Sequence, residues 1–376
     1  MRKIAAHYAL IGGELRRNIV ISVDDNRRVV AIDEVVSLDS CASVEFFPGI
    51  LIPGMVNTHC HLELSYLRGA IAEGSGFAGF ARAIGAVRNN FTTAERLRAA
   101  SVADADMWEQ GVEAVLDIAN DELVMPIKER SNIEYLTLFE VFGLTTQNID
   151  SHKDMASKWA QSSITPHSTY SLQDAIFRGA VEANNATISV HLLESKDEVE
   201  LYHNEGSLAQ WYDKMGWKCD FLHYASPAER IVASIERNKR VVVVHGCEAT
   251  ATDIERINHH FTTPATWVLC PESNRYISGS KPPVELLRER GSNIAIGTDS
   301  LASALRLSMV ENMRLLGDVP LNELLTWATK SGAEAMGLDD KLGSIEVGKT
   351  PGIVLLENAD LHNLRLTPNS RTRRIL

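Results

Sequence analysis

The chain has no apolar run of 18 residues or more, so nothing in it reads as a membrane-spanning helix. Its amino terminus, Met1-Arg2-Lys3-Ile4-Ala5-Ala6-His7, meets polar residues too soon for a secretion signal, and a cytoplasmic protein is expected. Cysteine is scarce: five in 376 residues, odd in number, widely spaced, with Cys60, Cys247 and Cys270 inside apolar runs. That pattern argues against a disulfide framework and suits reduced core thiols. Basic residues are also short, 37 against 49 acidic, for a formal net charge of −12. Such a balance argues against nucleic acid or an anionic membrane as the main partner and favours a small-molecule ligand. Internal repeats and low-complexity segments are missing too. With 45% apolar and 23% charged residues, the chain can bury a large core.

What is present is a set of polar residues at the ends of apolar runs. Gly49-Ile50-Leu51-Ile52-Pro53-Gly54-Met55-Val56 leads into Asn57-Thr58-His59-Cys60-His61-Leu62-Glu63. In a strand, side chains alternate faces, so His59 and His61 share one face and Cys60 takes the other. Two imidazoles on one face can share a metal ion. Three further β-branched runs end comparably: residues 187–190 before His191, 241–244 before His245 and 293–298 before Asp299. Each alone is an ordinary strand-terminal polar residue, but four in register point to one site.

Strand patterns fall at residues 50–58, 112–119, 134–142, 162–168, 187–192, 241–246, 266–271 and 293–298. Helical patterns lie between them, as in 94–109, 172–184, 196–203, 228–238, 251–259, 283–290 and 308–316. Thr92-Thr93-Ala94-Glu95 offers a capping box, and Ser226-Pro227 places proline in a first helical turn. Eight strands alternating with helices predict an α/β fold of the (β/α)8 TIM-barrel type, with chemistry at the carboxyl ends of the strands. The ends of the chain read differently. Residues 1–49 show short antiparallel β patterning, and 342–376 return to it through Leu342-Gly343-Ser344-Ile345-Glu346 and Gly352-Ile353-Val354-Leu355-Leu356. The expected division is a barrel over 53–342 and a small β-sandwich built from 1–52 plus 343–376.

The set His59-Cys60-His61, His191 with Glu194, His245 and Gly297-Thr298-Asp299-Ser300, in this order and spacing, resembles the amidohydrolase superfamily, and the likeness runs along essentially the whole chain. Its two-metal members bridge their ions with a carbamylated lysine at the third or fourth strand. Here those strands read Leu136-Thr137-Leu138-Phe139-Glu140-Val141 and Ile164-Thr165-Pro166-His167-Ser168, without lysine. The resemblance therefore implies one divalent ion held by His59, His61, His191 and Asp299, zinc by default, with iron or manganese open to the same donors. Glu194, three residues past His191, resembles the proton-handling glutamate of the deaminase branch. An ion there would make water nucleophilic near neutral pH. Glu194 would protonate the ring nitrogen beside an amino-bearing carbon and then serve the departing amine, with His245 and Asp299 orienting the nucleophile. Whether His245 ligates the metal or only orients water is left open by the sequence.

The blocks at 57–65, 191–200, Cys270-Pro271-Glu272-Ser273-Asn274 and 297–303 look most like aminodeoxyfutalosine deaminases of menaquinone biosynthesis. That likeness implies 6-amino-6-deoxyfutalosine as substrate, a homodimer as the family often forms, and substrate contacts from Glu63, at a ribose hydroxyl, and His167, at base or sugar. Two departures stand out, Cys60 where relatives often have threonine and Glu272 within the Cys-Pro-x-Ser-Asn block. Cys60 should face away from the metal, whereas Glu272 at a pocket rim would repel a substrate carboxylate. Arg68, Arg275 and Arg306 lie in loops expected to flank the mouth, either as anion binders or as ordinary surface charges. Alternatives are a deaminase of adenosylhomocysteine, methylthioadenosine or guanine, a chlorohydrolase of the same superfamily, and a non-catalytic ligand-binding or assembly protein.

Overall fold

A computed structural model describes residues 1–38 and 43–376; residues 39–42, within the amino-terminal segment assigned to the small domain, lie outside the described residues. Its centre is eight parallel strands: Met55–Cys60, Val112–Ala119, Glu134–Val141, Ser162–Pro166, Ile188–Leu192, Val241–His245, Thr266–Leu269 and Asn293–Ile296. They pair in chain order as two four-stranded sheets, the first four strands in one and the last four in the other. Parallel bridges join the sheets at both seams, Ser168 to His191 and Cys60 to Asp299.

Alternation along these strands separates two apolar layers. Leu116, Leu138, Val244, Val268 and Ala295 pack with one another and with Ala333 and Met336 of helix Lys330–Met336. Their neighbours in sequence, such as Val115, Phe139, Val243 and Trp267, join the layer shared with the surrounding helices. Trp267 and Phe139 are fully buried there, each worth about 1.5–3 kcal/mol on burial. Strands lined on both faces by apolar residues are what a parallel sheet covered by helices requires. The helix Thr93–Glu109 opens with the expected capping box between Thr92 and Glu95, and Ser226 caps Pro227–Ser234.

The apolar run at 50–58 is two strands instead of one. Glu45–Pro53 belongs to the terminal sheet, and Met55–Cys60 starts the parallel set. The chain turns from one to the other at Gly54, where a Cβ would run into Glu113 and come within 2.7 Å of the Pro351 carbonyl oxygen. Pro53-Gly54 is the local mark of that break within a run that is apolar on both sides because both strands are buried.

The terminal strands form one seven-stranded sheet. Its order is Arg371–Arg374, Ile353–Glu357, Glu45–Pro53, Arg2–Ile11, Ile19–Val23 and Val29–Glu34, with Glu14–Arg16 hairpinned onto Arg2–Ile11. Most pairs are antiparallel as expected, but Arg2–Ile11 runs parallel to Glu45–Pro53. Hydrogen bonding thus defines a single mixed sheet and not two facing antiparallel ones. Leu342–Glu346, expected to be strand, is a bend followed by irregular chain; Gly348 and Lys349 beyond it bond to Val29 at the edge of the sheet.

Candidate active site

The strand ends converge on one cluster. His59 is the penultimate residue of the first strand with His61 just beyond its end, His191 lies in the fifth, His245 ends the sixth, and Asp299 follows the eighth. His59 Nε2 lies 3.2 Å from His191 Nε2. Asp299 Oδ1 lies 3.6 Å from His61 Nε2 and 3.9 Å from His59 Nε2. One ligand atom each from His59, His61 and His191 falls within 4.8 Å of the others.

Backbone contacts fix this convergence. Asn57 accepts from Thr298 N at 3.1 Å and donates to Thr298 Oγ1 at 2.7 Å, stitching the first strand to the segment after the eighth. Thr298 N and Asp299 N both donate to the His59 carbonyl, at 3.0 and 3.1 Å. Gly297 permits the approach, since a Cβ there would sit 2.8 Å from His59 Cβ and 2.9 Å from Cys270 Sγ. Leu193, His245 and Asp299 adopt left-handed backbone angles, with φ of 51°, 76° and 56°. Such conformations cost non-glycine residues about 1–3 kcal/mol each and persist where the surroundings impose them. Here they turn the chain at the strand ends.

Protonation suits metal binding. The His191 Nδ1 proton is directed at the His167 carbonyl, 2.8 Å away, leaving the Nε2 lone pair toward His59. The 3.2 Å between these two buried imidazole nitrogens fits a shared divalent ion, since ligand nitrogens at about 2.0–2.1 Å from a tetrahedral zinc would lie about 3.3 Å apart. Burial, reinforced by the neighbouring imidazoles, holds His59 and His191 far below the ordinary histidine range, in the neutral form that a metal takes. Burial raises Asp299, but His61, His245 and the Ser273 hydroxyl outweigh it and keep the carboxylate ionised.

Glu194 is in the opposite situation. Burial first, then the negative charges of Asp299 and Glu198, push its carboxyl well above the usual range, which favours its protonated form. Its Oε1 lies 3.7 Å from His245 Nε2, and its backbone N–H donates to Glu198 Oε2 at 3.0 Å. His245, lowered to about 4 by burial, faces the Asn274 amide through Nδ1 at 3.0 Å. A carboxylic acid beside a neutral imidazole is a proton-transfer pair.

These groups floor a cavity of about 460 Å³, walled by Phe77, Phe80, Leu208, Trp211 and Trp217. His167 lines it, with Nδ1 3.0 Å from Ser171 Oγ. Glu63, expected at the substrate, lies behind the wall: its carboxylate takes Asn120 Nδ2 at 2.8 Å, Asn120 N at 2.9 Å and Asp121 N at 3.3 Å. Glu140, held by the same Asn120, does line the cavity, as Asn120 itself and Leu64 do; the sequence assigned Glu140 no role. Glu272 is buried, its N–H on Asn312, and is absent from the cavity wall. Arg275 pairs with Glu73 and Arg306 with Asp106, and neither they nor Arg68 line the cavity, whereas Arg88 does. Cys60 packs in the helix-side layer, away from the cluster, as strand alternation predicts.

Comparisons with known proteins agree with this arrangement. The chain is 26% identical over 328 residues to an adenosine deaminase of Helicobacter pylori, covering 81% of this chain and 78% of that one. It is 24% identical over 343 residues to a 5-methylthioadenosine/S-adenosylhomocysteine deaminase of Teredinibacter turnerae, with 84% and 73% covered. Among solved structures, H. pylori aminofutalosine deaminase in complex with methylthio-coformycin superposes with a TM-score of 0.80 at 22% identity, covering 98% and 94%. A zinc-bound adenosine deaminase from Xanthomonas campestris gives 0.74 at 21%, covering 96% and 85%. At these identities the structural likeness is one of fold. The amidohydrolase family model matches residues 50–372, a span that contains every strand end described above, and the chain belongs to that family of hydrolytic enzymes.

Proposed function

We propose that this chain is a metal-dependent hydrolytic deaminase of adenine-like nucleosides, and that within this class it acts on 6-amino-6-deoxyfutalosine in menaquinone biosynthesis, in the cytoplasm. The observation that carries the reading is Glu194 Oε1 3.7 Å from His245 Nε2 on a cavity that His61, His191 and Asp299 also line, with His59 Nε2 3.2 Å from His191 Nε2. In this reading His59, His61, His191 and Asp299 hold one divalent ion, zinc in the first instance. When bound, the ion supplies Lewis acidity that makes water nucleophilic near neutral pH.

The remaining chemistry belongs to the protein. Glu194 gives its proton to the ring nitrogen next to the amino-bearing carbon as water adds there. Asp299 and His245 orient that water and draw off its proton. Glu194, now a carboxylate, takes the remaining proton of the added hydroxyl and passes it to the amine, whose bond to the ring carbon breaks as ammonia leaves and the ring carbonyl forms. The 3.7 Å between Glu194 and His245 supports a second-row role for His245, at the water and not at the metal. The two seam bridges support closure of the eight strands into one barrel over 53–342, with the terminal segments 1–52 and 343–376 as a small separate β unit. Methylthioadenosine and adenosylhomocysteine are the second reading, favoured by the named relatives and by an apolar wall that would accept a thioether.

The test is ammonia release with the adenine-to-hypoxanthine ultraviolet shift. Zinc-loaded protein would be offered aminodeoxyfutalosine, adenosine, methylthioadenosine, adenosylhomocysteine, guanine and a chloro-triazine. Preference for aminodeoxyfutalosine is expected. Turnover of the chloro compound alone would overturn the deaminase reading.

A further inference from the structure

We propose that Glu140 and His167 form a hydroxyl-reading subsite that selects substrates carrying a ribose. This rests on the nucleoside reading above. Glu140 lies near the end of the third strand, where Leu136 and Leu138 join the inner apolar layer, and alternation carries Glu140 to the same face, at the cavity. It is only 5% exposed. Its Oε1 accepts from Asn120 Nδ2 at 2.7 Å, and Oε2 has no hydrogen-bond partner. Glu63 is bound to the same asparagine, but its two oxygens are taken up by Asn120 and by Asp121 N. Asn120 Nδ2 thereby spends both protons, one on each carboxylate. Of the two carboxylates, Glu140 alone belongs to a cavity-lining residue and keeps a buried oxygen without a hydrogen-bond partner.

Opposite that oxygen stands His167 Nε2, 4.0 Å away, while His167 Nδ1 is occupied by Ser171. The gap is too long for a direct hydrogen bond and leaves room for one oxygen atom within reach of both. A hydroxyl suits it, because it can donate to the carboxylate and still present lone pairs to the imidazole; an ammonium has no lone pair to offer. The position agrees with the reaction. Glu194, His245 and Asp299 come from the second sheet and hold the reacting ring, whereas Glu140 and His167 come from the first, where the rest of a nucleoside would lie.

Calorimetric titration of zinc-loaded protein with inosine and 2′,3′-dideoxyinosine tests this without turnover. Wild type should bind inosine at least about tenfold more tightly, the scale of a hydrogen bond to a charged group. Glu140→Gln places a donor where the acceptor was and should bring the two ligands to within about twofold, leaving dideoxyinosine affinity unchanged as the sign of an intact fold. Glu140→Asp, which withdraws the carboxylate by one methylene, should lose the preference as well and serves if the glutamine variant does not fold. No preference in wild type, or a preference that survives both substitutions, would overturn the subsite while leaving the deaminase reading standing. Failure of wild type to bind either nucleoside would overturn both.

Discussion

Replacing Lys128 with methionine should destabilise this protein by several kcal/mol and weaken its metal site, although Lys128 lies outside the cavity. Its ammonium pairs with Asp117, and the two side chains are 2% and 0% exposed. Lys128 also donates to Thr137 Oγ1 at 3.1 Å. The other Asp117 oxygen accepts Leu62 N at 2.8 Å, fixing the backbone immediately after His61. Methionine fills the same space but leaves the Asp117 carboxylate buried without a counter-charge, which costs about 3–5 kcal/mol. With about 2.1 cal/mol/K of unfolding entropy per residue over 376 residues, the entropy at the midpoint is about 0.8 kcal/mol/K. The thermal midpoint should therefore fall by about 4–6 °C in metal-free protein, and zinc affinity should drop with it as the His61 segment loosens. Adding Asp117→Leu to Lys128→Met removes the stranded charge and should recover much of the midpoint, though not the hold on Leu62. Differential scanning calorimetry of wild type, both single variants and the double variant closes the cycle. A fall of less than about 1 °C in Lys128→Met, or no recovery in the double variant, would refute the account of a buried pair stabilised by its own complementarity.

Four further outcomes follow. Glu194→Gln should keep its zinc, read by atomic absorption, while kcat falls by about 10²–10⁴; metal loss instead would make Glu194 a ligand. Asp299→Ala should lose turnover and metal content together, and a variant that keeps both would remove Asp299 from the site. Burial raises Glu198 to about 7 against the hydrogen bonds from Thr169, Glu194 and Leu193, so the folded state keeps a proton that the unfolded chain releases above about pH 4.5. Stability from this group is full below that pH and is lost as pH rises toward 7; the midpoint difference between pH 5 and pH 7.5 should shrink in Glu198→Gln, and an unchanged difference would show that Glu198 is not its source. Chelation should abolish deamination and lower the midpoint, with both restored by zinc, and activity that survives complete stripping would exclude the ion from the chemistry.

The parallel strands were legible because their residues face apolar layers on both sides, so each reads as a short β-branched run ending in a polar residue. His59, His61, His191, His245 and Asp299 were found for the same reason: a polar group that ends a buried run is conspicuous. Glu140 carried a comparable signal, the lone carboxylate in Leu136-Thr137-Leu138-Phe139-Glu140-Val141, in phase with inward Leu136 and Leu138. A carboxylate near a strand end has no single meaning by itself, whereas paired histidines at metal-ligand spacing do. Glu63 shows the converse. The family resemblance implied a substrate contact, but Asn120 N, 57 residues further along the chain, and Asp121 N donate to its carboxylate, and such a contact leaves no local trace. The parallel pairing of Arg2–Ile11 with Glu45–Pro53 was hidden likewise, whereas the break at Gly54 was marked by Pro53-Gly54 within the apolar run.

Substrate choice is the least legible layer, and the cavity shows why. Its reacting floor comes from strand ends, whose positions the fold dictates, but its wall comes from Phe77 and Phe80 on Phe77–Val87 and from Leu208 and Trp211 on Gly206–Met215. Neither helix was expected from the sequence, and each meets the cavity through apolar side chains that resemble ordinary core residues. The arginines expected at the mouth were chosen by loop position, yet Arg275 and Arg306 are engaged by Glu73 and Asp106, and Arg88, which follows the first of these wall helices, lines the cavity instead. A substrate with an anionic tail would have to meet Arg88. Arg88→Ala should therefore raise KM for aminodeoxyfutalosine by about tenfold or more while leaving adenosine unchanged, as expected for loss of a charge-assisted contact made by one ligand and not the other. An equal rise for both nucleosides would assign Arg88 to the shape of the wall and leave the anionic tail without a partner among the lining residues.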